Sequence, residues 1–198
     1  MTEAEWLTSA DPTPILEFIR NDATARKLRL FSVAALKKVK SASEENGTET
    51  HRKVLIAYEL AERFADGGIS VQDLRRAWGE NLAHCWPERA YEWAREVASP
   101  GRGILPCSGI SSVDAVELLR DIFGNPFRPI AIDPRWLTSN VVDLGNAIYS
   151  ERAFDRLPIL SDALMDAGCN DDEILNHCRS EGPHVRGCWV VDLLTGRN

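Results

Sequence analysis

Between Ala23 and Lys40 the residues Leu28, Phe31, Ser32, Ala35, Leu36 and Val39 recur at the i, i+3, i+4, i+7, i+8, i+11 spacing that lines one face of a helix. The same period returns along most of the chain. It is carried by Val54, Leu55, Tyr58, Ala61 and Phe64, by Leu74, Ala77, Trp78 and Leu82, by Ala90, Tyr91, Trp93, Ala94 and Val97, by Val113, Val116, Leu119, Ile122 and Phe123, and by Leu157, Leu160 and Leu164. Clear period-two alternation, the mark of a half-buried strand, is missing. A chain patterned this way must bury helical stripes against one another. The expected fold is therefore all-α, with nine or ten short helices.

Local signals place the helix ends. Asp11-Pro12 and Asp133-Pro134 each offer an N-cap acid followed by a proline at the first helical position, where the missing N–H costs nothing. Ser70 to Asp73 and Ser111 to Asp114 have the form of capping boxes. Gly67-Gly68 and Gly168 are suited to stop helices in the left-handed region. In FRPIAIDP the prolines Pro126, Pro129 and Pro134 force the residues before them out of the α region, so this stretch is extended, with at most a short strand at 130–132. The segment SPGRGILPCSGISS, residues 99–112, has no periodicity and reads as a linker or long loop between an N-terminal helical part, 1–98, and a C-terminal one, 113–198. The last helix is expected to run from Pro183 to Thr195.

Charge narrows the partners. A net charge of −7 and a pI near 5.2 argue against a general nucleic-acid or anionic-membrane binder, which needs excess lysine and arginine. The exception is local: Arg20 to Lys40 holds seven basic residues against the single Asp22. Arg26, Arg29, Lys37 and Lys40 fall together on one helical face, a surface that could meet phosphate or an acidic protein. The acidic start MTEAEW lacks the features of a secretory signal, and no apolar run reaches the eighteen or so residues of a membrane helix. An odd number of cysteines, five, in a chain without an export signal reads as reduced thiols in a cytoplasm.

The chemistry-bearing residues gather late. Cys169 to Asn198 holds three of the five cysteines and two of the four histidines. If a helix starts at Pro183, His184 and Cys188 stand at i and i+4 on one face, and Cys169 and Cys178 flank the preceding helix. Cys169, Cys178, His184 and Cys188 would then form a four-ligand set, with His177 as a substitute, and zinc would suit it. The competing reading makes Cys178 and Cys188 small core residues among Ile174, Leu175, Trp189 and Val190. A nucleophilic thiol needs an orienting third group that the sequence does not show. Gly101-Arg-Gly103 is a fragment of a dinucleotide fingerprint without its strand and helix, and no P-loop, HExxH or GxSxG occurs. No catalytic residue is assigned, and no cofactor is expected unless zinc closes the late cluster.

Three segments carry a resemblance to a known family: MTEAEWLTSADPTPILEFIR with RKLRLF, then RDIFGNPFRPIAIDPRWLT, then ERAFDRLPILSDALMDAGC with ILNHCR and GPHVRGCWVVDLL. Together they resemble a family of uncharacterised proteins found in many copies in planctomycete bacteria. Family members often carry a cysteine- and arginine-rich stretch after the RKLRLF-like segment, where SVAALKKVK here lacks cysteine. The resemblance implies no activity, substrate or cofactor.

The leading expectation is a cytoplasmic helical module that binds another protein and performs no chemistry, using the basic stripe and amphipathic aromatics such as Trp6, Trp86 or Trp136. Its first alternative is a zinc-stabilised helical protein or enzyme built on the late cluster. Its second is a nucleic-acid contact through helix 26–40.

Overall fold

The computed structural model describes residues 1–41, 49–78, 90–98 and 110–197. Among them all regular structure is helical, with eleven α-helices, two short 3-10 helices and no strand. It divides into two compact units, Met1–Leu119 and Arg120–Asn198. The greater part of the expected linker, 99–109, lies outside the described residues, as do His84, Cys85 and Trp86.

The N-terminal unit contains α1 (Glu3–Thr8), α2 (Pro12–Ile19), α3 (Ala25–Ser41), α4 (Glu49–Ala65), α5 (Val71–Trp78), α6 (Ala90–Ala98) and most of α7 (Ser112–Phe123). Thr2 opens α1 with a complete capping box: its hydroxyl accepts from Glu5 N, and the Glu5 carboxylate accepts from Thr2 N at 2.7 Å. Asp11 caps α2 with Pro12 at the first position, as the dipeptide predicts. Ser70 and Ser111 accept from Asp73 N and Asp114 N, both at 3.1 Å. α3 packs against α4 and α6 through its apolar stripe. Leu28, Phe31, Ala35 and Leu36 are all buried with Ala61 and Ala94, and each large side chain contributes about 1.5–3 kcal/mol. The one polar member, Ser32, returns its hydroxyl to Leu28 O at 2.9 Å.

Three cations of the basic face of α3 have partners within the unit. Arg26 Nε meets Asp66 at 2.9 Å, the Arg29 guanidinium lies 4.9 Å from the Phe64 ring centre, and Lys37 pairs with Glu62. Burial pulls Arg29 below the ordinary arginine range. These cations help to hold α3 onto α4 and its C-terminal extension, so the charge that the sequence offers to a partner is met in part within the unit. The side chain of Lys40 lies outside the described residues. Trp6, expected at an interface, is 1% exposed and packs 6.3 Å from Phe18, ring centre to ring centre. Its large apolar area draws it inside.

The C-terminal unit takes the end of α7, an extended stretch, a 3-10 turn at Pro134–Trp136, α8 (Ser139–Glu151), a second 3-10 turn at Phe154–Arg156, α9 (Leu157–Asp166), α10 (Asp172–Arg179) and α11 (Trp189–Thr195). The stretch 130–132 finds no neighbouring strand, and Ile130 and Ile132 instead pack sideways onto the core. Trp136, the other expected interface aromatic, is half-buried against the same core. α9 packs against α8 and α10, and α11 against α8. Gly145 in the middle of α8 permits the last approach, since a Cβ there would stand 3.2 Å from Thr195 Cγ2. The core comprises Val141, Ile148, Leu157, Leu160, Leu164, Ile174, Val190 and Val191 with Cys169, Cys178 and Cys188. The last helix begins at Trp189, six residues later than the expected Pro183, so 180–188 is a connection with its own geometry.

Candidate metal centre

Four side chains converge inside the C-terminal unit. Asp121 comes from the last turn of α7, His177 from the last turn of α10, and His184 and Cys188 from the connection between α10 and α11. One donor atom from each lies within 4.8 Å of every other. The side chains of Asp121, His184 and His177 are 3%, 9% and 15% exposed, and Cys188 is fully buried.

Local sequence sets this up. Asp171 caps α10 by accepting from Glu173 N and Ile174 N, and the helix is long enough to carry His177 to its C-terminal end. Ser180 then turns the chain, its hydroxyl donating to His177 O at 2.8 Å. Gly187 takes φ +94°, a conformation costly for other residues, and brings Cys188 under the cluster with its N–H donated to Val185 O at 2.9 Å.

The hydrogen bonds assign the protons. His184 Nδ1 lies 2.8 Å from Asp121 Oδ1, and His184 Nε2 lies 3.1 Å from Ser180 O. Both partners can only accept, so His184 carries a proton on each nitrogen and is an imidazolium. The Ser180 hydroxyl, 3.3 Å from the same Nε2, has its own proton on His177 O and also accepts. The second Asp121 oxygen accepts the Val185 N–H at 3.0 Å. Trp189 Nε1 donates to His177 Nδ1 at 3.1 Å, which leaves the proton of neutral His177 on Nε2, 3.1 Å from Cys188 Sγ and 3.3 Å from Asp121 Oδ1.

Electrostatics agree with that assignment. Burial pushes the Asp121 carboxyl up, but the hydrogen bonds from His177 and His184 outweigh it and hold the group below the usual carboxylate range. Burial pulls His184 down, and its bond to Asp121 with the attendant charge outweighs this and raises it. Burial, with the Asp121 charge, raises the Cys188 thiol well above the ordinary value against the pull of the Val191 and Val190 N–H groups. The thiol is thus protonated, and His177 gives a proton toward sulfur where a catalytic dyad would take one away. Cys188 has no base and is not an activated nucleophile.

The donor set of one carboxylate, two imidazoles and one thiol fits zinc. Zn–N and Zn–O bonds of about 2.0–2.2 Å and Zn–S of about 2.3 Å place tetrahedral donors about 3.3–3.6 Å apart. The short separations here, 2.8 to 3.3 Å, bracket that spacing from below, and the widest, under 4.8 Å, needs to close by little more than about 1 Å. His184 already donates Nε2–H to a backbone carbonyl, the outer contact that a histidine ligating through Nδ1 makes. An open cleft of about 330 Å³ lined by Phe154, Leu157, Pro158, Ser180, Gly182 and His184 gives a way in.

The sequence placed His184 and Cys188 correctly in the cluster and named His177 only as a substitute. Cys169 and Cys178 are not members. His177 and Cys178 are neighbours in a helix and point about 100° apart, so only one of them can face the site. Cys178 is buried in the core with its thiol pushed up to about 12, chiefly by burial, and Cys169 is raised for the same first reason. Asp121 was missed, although it left a signal: an acid in the last turn of a helix stands against the helix dipole. Comparison with family models, with curated proteins and with solved structures finds no match for this chain.

Proposed function

We propose that this protein is a non-catalytic helical module whose C-terminal unit binds one zinc ion through Asp121, His177, His184 and Cys188, the ion serving to hold the unit together. The observation that supports this is the convergence of four donors of mixed O, N, N and S type in the interior of one unit. Four protein donors fill a tetrahedral shell and leave no position for water or substrate, the pattern of structural and not of catalytic zinc. A thiolate donor disfavours magnesium and calcium. Among the described residues the thiols of Cys169, Cys178 and Cys188 are free, which suits a reducing compartment, and we propose the cytoplasm for this protein. Among the described residues no helix is long and apolar enough to cross a membrane.

The test is metal analysis of freshly purified protein with thermal melts at rising zinc. One equivalent should be retained, and free zinc at about a hundred times its Kd should stabilise by about 2.7 kcal/mol. Cys188→Ala should abolish both effects. Protein that neither retains zinc nor melts higher in its presence would overturn the proposal.

A second reading, that the N-terminal unit docks another protein, is favoured by an open cleft of about 590 Å³ between α1 and α2, lined by Met1, Pro14 and Phe18 and edged by Glu5 and Glu17, with Leu7 52% exposed nearby. Phe18→Asp should weaken such docking, with some loss of melting temperature because Phe18 packs on Trp6, and an unchanged affinity for an isolated partner would remove the cleft from consideration.

A further inference from the structure

His177 faces the cluster with Nε2 and turns Nδ1 to the indole of Trp189, which donates to it at 3.1 Å. An indole N–H can only donate, and a neutral imidazole has one donor and one acceptor nitrogen. While that bond stands, the proton of His177 sits on Nε2, the same nitrogen that would have to offer its lone pair to a metal. Ligation through Nε2 needs the proton on Nδ1, where it would meet the Trp189 N–H head-on, donor against donor. The indole is held where it is from two sides. Its ring centre lies 5.1 Å from that of His177, and a Cβ at Gly124 would stand only 3.1 Å from Trp189 Cγ.

We infer that Trp189 is a latch on the metal centre: a positioning residue that keeps His177 in its non-ligating tautomer, so that an ion binds only as the indole N–H leaves Nδ1. This rests on the zinc reading above. It assigns a role to Gly124 as well, since the close packing of that glycine on the indole defines the latched position. Metal binding and Trp189 hydrogen bonding are then mutually exclusive states of one histidine.

Two measurements on the full chain separate the latch from the zinc reading. In metal-free wild-type protein, nitrogen NMR of the His177 ring should show Nε2 protonated and Nδ1 bare. Zinc titration against a chromophoric chelator should show Trp189→Phe, which keeps the aromatic plane and removes the donor, binding about five- to tenfold more tightly than wild type, the worth of one hydrogen bond. The wild-type indole N–H resonance should move as zinc is added. Protonated Nδ1 in the metal-free protein, or equal zinc affinity in the two proteins, would overturn the latch while leaving the metal centre standing. A bare Nδ1 together with no zinc binding by either protein would overturn the metal centre and the latch with it. The wild-type ring assignment does not depend on whether the variant folds.

Discussion

Replacing Asp121 by asparagine tests the centre in its metal-free form. The carboxylate uses its two oxygens for different donors, Oδ1 for His184 Nδ1–H at 2.8 Å and Oδ2 for Val185 N–H at 3.0 Å. Asparagine can satisfy both only if its oxygen takes Val185 N–H and its amide donates to His184 Nδ1, which then must give up its proton. The imidazolium becomes neutral and the ion pair is gone. A second amide hydrogen is left facing His177 Nε2–H, a buried donor without an acceptor. We expect Asp121→Asn to cost about 1–3 kcal/mol for that unmet donor, and Asp121→Ala, which strips the buried imidazolium of its counter-charge and Val185 of its acceptor, about 3–5 kcal/mol. The pH dependence is more diagnostic than the size. The folded Asp121 pKa is depressed, so its contribution is complete above the unfolded value near 3.9 and fades as pH falls through the lower folded value. The folded His184 pKa is raised, so its contribution is complete below the unfolded value near 6.5 and is lost as pH rises through the higher folded value. The pair therefore stabilises most between about pH 4 and 6.5. Denaturant unfolding with chelator present should show wild type losing more stability than Asp121→Asn on going from pH 6 to 8. Parallel profiles over that range would refute the assignment of His184 as an imidazolium.

Zinc must displace protons that the same geometry counts: one from the His184 imidazolium and one from the Cys188 thiol, while His177 only moves its proton from Nε2 to Nδ1. Calorimetry in buffers of different ionisation enthalpy should therefore give about two protons released per ion below the His184 pKa, and a release of none would contradict the ligand set. Cys178→Ser exchanges a thiol that is fully buried among Ile174, Leu175 and Leu164 for a hydroxyl with a stronger need for partners, and should cost about 1–3 kcal/mol in denaturant unfolding without changing zinc stoichiometry. An unchanged unfolding midpoint would mean the core accommodates the hydroxyl.

The helical class was legible because burial acts on stripes, and a stripe is written directly into residue spacing. Asp11-Pro12, Ser70 and Ser111 were legible for the same local reason, since each cap is completed within three residues. α1 escaped notice although Thr2 and Glu5 spell a capping box, because a six-residue helix has too few turns to show a period. The basic stripe on α3 was found but its partners were not: Asp66, Glu62 and Phe64 lie some 25 to 40 residues away, and no local pattern couples Lys37 to Glu62 or Arg26 to Asp66. In the candidate centre the i, i+4 argument for His184 and Cys188 reached the right pair by the wrong geometry, since the connection 180–188 and not a helix brings them together. Asp121 stands 63 residues before His184 and could be reached only by asking why an acid ends a helix.

That question has one physical answer. A carboxylate in the last turn of α7 feels the negative end of the helix dipole, which works against it by about 0.3–1 kcal/mol at a surface and more in the interior. Burial adds a larger penalty, and a single backbone N–H from Val185 does not offset both. Among the described residues the remaining compensation comes from the two histidines: His177 Nε2 lies 3.3 Å from Asp121 Oδ1 and His184 Nδ1 lies 2.8 Å from it, the latter with an added proton that an ion held by His177, His184 and Cys188 would replace. The two occupants demand the same position and opposite protonation of the same ring. The centre is accordingly a site for a cation before it is a site for zinc, and an anionic Asp121 with a neutral, unmetallated His184 beside it keeps only the hydrogen bonds from Val185 N–H and the two histidines, without a counter-charge.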